Sequence, residues 1–175
     1  VSRFEKEGVE TIAVALMHSY RNPTHERRVR DYLREHYPKY HVSISSEVAP
    51  ELREYPRTST TVANAYVEPD LARHLAEMES GLTGLGFRGT IYMMLSEGGV
   101  TTLDVARAFP VRLAESGPAA GAIGAAYYGM LIGHKDVVSF DMGGTTAKLC
   151  LITDGQPSRT NEVEVAREHR FKKGS

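Results

Sequence analysis

The stretch Asp141-Met142-Gly143-Gly144-Thr145-Thr146 places a carboxylate, two residues without side chains and two hydroxyls within six positions. That combination suits a phosphate-bearing ligand. Glycine lets backbone N–H groups come close to phosphate oxygens, and the hydroxyls of Thr145 and Thr146 add donors to the same concavity. Asp141 is the candidate catalytic residue and the candidate Mg²⁺ ligand, since a carboxylate can hold the hydrated ion through water while the ion bridges phosphate oxygens. Gly143, Gly144, Thr145 and Thr146 are the candidate phosphate-binding residues. A plain hairpin turn would need only the glycine pair, so the flanking Asp and Thr residues ask for chemistry beyond a turn.

Two strands must present this loop. Residues 136–141 are an apolar run ending in the carboxylate, and residues 147–152 are a second run, which predicts a β-hairpin. Other phosphate-binding patterns are absent: there is no Gly-x-x-x-x-Gly-Lys-Ser/Thr and no Gly-x-Gly-x-x-Gly opening a helix, and Lys148 follows the loop on a strand. Upstream, Ser116-Gly117-Pro118 predicts a helix start with Ser116 as the cap. Gly117, Gly121 and Gly124 then fall on one helix face. Glycine inside a helix costs up to about 1 kcal/mol relative to alanine. Such a stripe marks either a helix packed backbone-close against a sheet or a helix that approaches a ligand. Ser116, Gly117 and Gly121 are therefore candidates for the wall of a cleft beside the loop. Glu115 is either a charge near the reacting group or a partner of the helix dipole.

The remaining chain alternates strand and helix, the pattern of an α/β layer fold. Residues 11–17 read as a buried strand, Asn22 and Pro23 as the start of a helix carrying Val29, Leu33 and Tyr37 on one face, and residues 41–45 as a second strand. A helical stretch over 59–82 contains Pro69, which predicts two helices or one sharp bend. Residues 90–95 read as a strand, Ser96-Glu97-Gly98-Gly99 as a turn, and residues 102–109 as a short helix. The periodicity lapses over residues 46–57, which suggests a subdomain boundary there. Charges of alternating sign over residues 26–31 predict a solvated helix face. The four hydroxyls Thr58-Ser59-Thr60-Thr61 suit either capping or anion binding at a helix N-terminus.

A net charge of -1 gives no electrostatic footprint for nucleic acid or an acidic membrane. With Cys150 as the single cysteine there is no internal disulfide and no CxxC metal site, and its place in a strand predicts an inert core thiol. The seven histidines show no metal-ligand spacing, and His18, at a strand end, reads as a packed or capping residue. No apolar run reaches the ~18 residues of a membrane span and no signal pattern precedes the first strand, so a cytoplasmic location without membrane attachment is expected. The chain opens on Val1 directly before an apolar run and stops without closing an element, which reads as a fragment of a larger protein.

The segment 115–152 resembles the linking helix and second phosphate hairpin of the actin, sugar-kinase and heat-shock-chaperone ATPase superfamily. Leu16-Met17-His18-Ser19-Tyr20, residues 45–51, residues 54–66, Ser116-Gly117-Pro118-Ala119-Ala120-Gly121 and residues 139–148 make the wider chain similar to the hydantoinase A and 5-oxoprolinase family. That family includes ATP-dependent N-methylhydantoinases and the nucleotide-binding subunit of acetone carboxylases. The resemblance implies an actin-like, ribonuclease H-like α/β architecture, incomplete here. Residues 1–57 would end the family's N-terminal domain, and residues 58–175 would begin the hydantoinase A/oxoprolinase domain. It implies ATP and Mg²⁺ as cofactors and a small cyclic amide as substrate, opened after phosphorylation of its carbonyl oxygen. It also implies a hydantoinase B-type partner in a hetero-oligomer. A ketone-carboxylating subunit and a non-enzymatic nucleotide switch are the alternatives. Two positions depart from the family's usual pattern: Thr146-Ala147-Lys148 stands where many members carry Ser/Thr-Thr/Asp, and Ser96-Glu97-Gly98-Gly99 where relatives carry Ser-Asn-Gly-Gly. The family's first phosphate loop lies outside this chain.

Overall fold

In the computed structural model the described residues are 1–144 and 146–160. The chain divides into two compact units, one formed by residues 1–90 and 104–111, the other by residues 91–103 and 112–160 of the described chain. Residues 46–57, where the periodicity lapses, lie inside the first unit.

The first unit is organised by a β-α-β crossover. A short helix α1 (Ser2–Lys6) precedes β1 (Thr11–Val14), α2 (Thr24–His36) and β2 (His41–Ile44). The two strands pair in parallel, from Thr11 opposite His41 to Val14 opposite Ile44. α2 starts one residue later than the Asn-Pro signal predicts: Pro23, not Asn22, is the N-cap, and Asn22 Oδ1 accepts the Thr24 N–H just ahead of the helix. Leu33, Tyr40, Val42 and Ile44 form the core, with Ile12, Val14 and Tyr37 packed against it. Side chains alternate across a strand, so Ser43 faces away from that cluster. It meets the long helix α4 (Glu54–Gly84) instead, accepting from Asn64 Nδ2 and donating to Glu68 Oε2. β2 is thus buried on both faces over Val42–Ile44, whereas β1, expected as a buried strand over 11–17, spans only Thr11–Val14 and is half-buried, with Ala13 exposed.

Three expectations are corrected here. α4 begins five residues before Ser59 and continues through Pro69 as one helix rather than two. The hydroxyls of Thr60 and Thr61 do not cap it. They lie in its second turn and donate back to the carbonyls of Pro56 and Arg57, which removes them as an anion site. Charges over residues 26–31 are only partly solvated. Glu26 is 0% exposed, and Arg30 reaches Glu47 Oε1 at 2.6 Å.

Glu26 anchors a buried polar network at the end of β1. Its Oε1 accepts from the Leu16 N–H and the Ser45 hydroxyl, and Oε2 from the Ser46 N–H on α3 (Ser45–Val48). Arg57, 1% exposed, donates to Ser45 Oγ and to the carbonyls of Glu51 and Leu16. Its guanidinium also lies over the Tyr20 ring. The Leu16–Tyr20 turn, where His18 adopts φ 54°, is pinned by this network. Asn64 extends the polar ties, donating to the Ala108 carbonyl and accepting the Val111 N–H after α5 (Leu103–Ala108).

The second unit holds the hairpin β3 (Tyr92–Met94) and β4 (Val100–Thr102), then α6 (Ser116–Leu131), β5 (Val137–Met142), β6 (Ala147–Thr153) and the short β7 (Gln156–Pro157). β4 and β7 were not expected from the sequence, both being two or three residues long. Gly98 turns the β3–β4 hairpin at φ 90°, and a Cβ there would stand 2.8 Å from Ile123 Cδ1. β5, β6 and β7 form one antiparallel sheet. One face packs on α6 through Val137, Ser139 and Ile152. The opposite face is apolar and open, with Phe140 61% and Leu149 71% exposed.

Candidate functional site

The hairpin forms as expected, with Asp141 opposite Lys148 and Met142 opposite Ala147. Four residues close it, and the Gly143 N–H donates to the Thr146 carbonyl at 3.1 Å. Thr145 lies outside the described residues. Asp141 is exposed, and among the described residues its carboxylate makes no hydrogen bond or ion pair. Strand alternation puts Asp141 and Lys148 on the same face as Ser139 and Val137, which is the α6 face.

α6 lies antiparallel to β5. Near its C-terminal end, Gly129 touches Val137 at the start of β5, while the residue before its first turn, Glu115, pairs with Lys148 opposite Asp141. Lengths agree: sixteen helical residues span about 24 Å and six strand residues about 20 Å. The N-terminus of α6, and so its positive dipole end, therefore lies at the turn end of the hairpin. Ser96 locks this arrangement. Its hydroxyl donates to the Arg112 carbonyl and accepts the Glu115 N–H.

Glu115, not Ser116, occupies the N-cap position of α6, and no side chain caps the helix. Ser116 and Gly117 are thus brought to the hairpin end, whereas exposed Gly121 lies one turn further along the helix. The packing explanation for the glycine stripe is overturned within this chain. A Cβ on Gly117, Gly121 or Gly124 would meet nothing within 4 Å, and the close contact falls on Gly129, where a Cβ would stand 2.8 Å from the His134 carbonyl. Gly121→Ala should accordingly raise stability by up to about 1 kcal/mol, and Gly129→Ala should lower it by about 1–3 kcal/mol. Thermal melts of the two variants should move in opposite directions.

Gly143 and Gly144 are open as well. Neither has positive φ, and a Cβ on either would enter open space. Among the described residues, neither backbone conformation nor packing requires glycine at these positions. An exposed carboxylate, two open glycines, a hydroxyl at Thr146 and a helix N-terminus at one end fit a metal-bound phosphate. No three His, Cys, Asp or Glu side chains converge among the described residues, so a metal here would be held by Asp141 through water in the manner of Mg²⁺. Lys148 is the residue the sequence reading left out of the site. Counting back across a four-residue turn pairs it with Asp141, so the register alone could have placed it. Cys150 is half-buried opposite Ser139 rather than a core thiol.

The crossover, the hairpin and the linking helix are parts of an actin-like ATPase-type α/β fold. Against the solved structure titled as the nucleotide-free acetone carboxylase of ATP-dependent acetone carboxylation, the chain aligns with a TM-score of 0.76 and 31% identity, covering 89% of this chain and 22% of that one. The chain belongs to the hydantoinase/oxoprolinase family, whose model matches residues 57–172, with the family's N-terminal region matching residues 1–37. It is 42% identical over 94% of its length to an uncharacterised protein of Methanocaldococcus jannaschii, covering 24% of that protein. It is 31% identical over 95% of its length to the caprolactamase subunit alpha of Pseudomonas jessenii, again covering 24% of the relative. The chain thus spans about a quarter of the length of these relatives.

Proposed function

We propose that this chain carries the second phosphate loop of an ATP-dependent subunit that opens a small cyclic amide. The observation behind this reading is the hairpin turn, whose two glycines are explained by neither backbone conformation nor packing and whose neighbour is an unpartnered carboxylate. Backbone N–H groups of Gly143 and Gly144 and the hydroxyls of Thr145 and Thr146 would hold phosphate oxygens. Asp141 would hold Mg²⁺ through water, and the bound ion supplies neutralising charge between those oxygens. Phosphate transfer to the ring carbonyl oxygen, with ADP departing, opens the carbon to water. The ring nitrogen takes a proton and leaves as the C–N bond breaks, and a second water releases inorganic phosphate from the resulting acyl phosphate to give the amino acid. The kinship to a caprolactamase subunit supports a lactam-type substrate and assembly with a further subunit; in this proposal that subunit is of the hydantoinase B type and the complex is cytoplasmic.

A second reading, ketone carboxylation, is favoured by the structural likeness to acetone carboxylase. In both, a carbonyl or enol oxygen takes the phosphate. The full-length protein, purified with its partner, should turn over ATP in step with ring-opened amino acid when given lactams, hydantoins or 5-oxoproline. ATP turnover that instead requires a ketone together with bicarbonate would move the assignment to the carboxylases, and indifference to both would sink the enzymatic reading.

A further inference from the structure

Lys148 has no place in the chemistry assigned above, yet it stands at the centre of the site. It is opposite Asp141 in register, shares the α6 face with it, and pairs with Glu115 at the head of α6. Its side chain and that of Glu115 are each about one-third exposed, 37% and 34%, so the ammonium is accessible from solvent. Glu115 is itself fixed by the bond of its N–H to Ser96. The cation is thereby held on Glu115, while Asp141, its neighbour in register, makes no ion pair among the described residues.

We propose that Lys148 is a built-in counter-cation of the phosphate hairpin. With the loop empty its ammonium rests on Glu115, and when phosphate oxygens enter beside Asp141 it turns to them and carries part of the charge that a divalent ion would otherwise supply. This rests on the phosphate-loop reading above. An ammonium is a compact point charge on a flexible stem, able to exchange one carboxylate partner for a phosphate oxygen with little backbone movement.

Isothermal titration of the full-length protein with ATP, in EDTA and in Mg²⁺, tests it. Wild type should keep measurable affinity for metal-free ATP. Lys148→Met should lose about tenfold or more of that affinity, the loss expected for one charge-assisted bond, and less of its affinity for MgATP. Lys148→Arg should restore most of it. Glu115→Gln frees the ammonium and should hold or raise metal-free affinity, whereas a merely structural latch would make Glu115→Gln and Lys148→Met fail together. Equal losses in those two variants, or wild-type binding by Lys148→Met, would overturn the proposal while leaving the phosphate loop standing. If wild type binds neither form of ATP, the phosphate-loop reading itself falls. Should Lys148→Met not fold, as judged by its melt, the Glu115→Gln and Lys148→Arg titrations still decide.

Discussion

Asp141→Asn and Gly144→Ala should both cripple the full-length protein, by different routes. Asn keeps the size of the side chain but removes the charge that a hard, hydrated Mg²⁺ requires. Turnover should fall by about 10²–10³, the scale of losing one fixed group that stabilises transition-state charge, with Mg²⁺ dependence shifted to higher concentrations. Ala at position 144 adds a methyl group where the protein itself has open space, so the fold should be unaffected. Any loss then reports on the ligand: overpacking worth about 1–3 kcal/mol corresponds to roughly five- to 150-fold in nucleotide affinity. Calorimetric titration with and without Mg²⁺, beside thermal melts, separates the two. If Gly144→Ala melts and binds MgATP as wild type does, the hairpin is only a turn and the proposed function fails.

The largest stability effects should come from the first unit. Arg57→Met leaves the carbonyls of Leu16 and Glu51 without their guanidinium donor and Ser45 without Nε. Breaking such a buried charged network costs about 3–5 kcal/mol, a large share of the roughly 5–15 kcal/mol that holds a typical domain together. Glu26→Gln should cost somewhat less, because an amide still accepts through one oxygen but turns an NH₂ toward a donor. Burial raises the Glu26 pKa, but the bonds from the Ser45 hydroxyl and the Leu16 and Ser46 N–H groups outweigh it and hold the carboxyl below its ordinary value of 4.5. A carboxylate with a lowered folded-state pKa contributes stability that is present above the unfolded value and lost as pH falls through the folded one. Urea midpoints should therefore decline for wild type below about pH 4.5, and that decline should be shallower in Glu26→Gln. An unchanged acid limb in the variant would show that Glu26 is not the group responsible.

Much of the site's local geometry was legible in the residues. Two apolar runs around a Gly-Gly pair specify a hairpin, and the turn length then sets Asp141 opposite Lys148. The starts of α2 and α6 were readable to within a residue for the same reason, since turns depend on the few residues that form them, although each N-cap falls one residue away from the position expected. Errors arose where distant groups overrule a local preference. The hydroxyls of Thr60 and Thr61 look like caps, but α4 begins earlier because Arg57 must reach back into the network at the end of β1. Glu26 sits in a run of charges that reads as solvated, and only the approach of Ser45 and Ser46 from beyond β2 shows why it is buried.

The sequence by itself determined the α/β alternation, the hairpin with its carboxylate and glycines, and the kinship that places the chain among hydantoinases and oxoprolinases. These are properties of neighbouring residues or of recurring motifs, and short-range sterics and hydrogen bonding suffice to specify them. Tertiary structure alone decided which glycines are held by packing and which stand open, since that depends on what lies within 4 Å across the fold. It also decided that α6 lies along β5 with its N-terminus at the turn end of the hairpin and that Glu115 meets Lys148, a contact between residues 33 positions apart. Such pairings follow from how helix and sheet pack, and no local pattern encodes them.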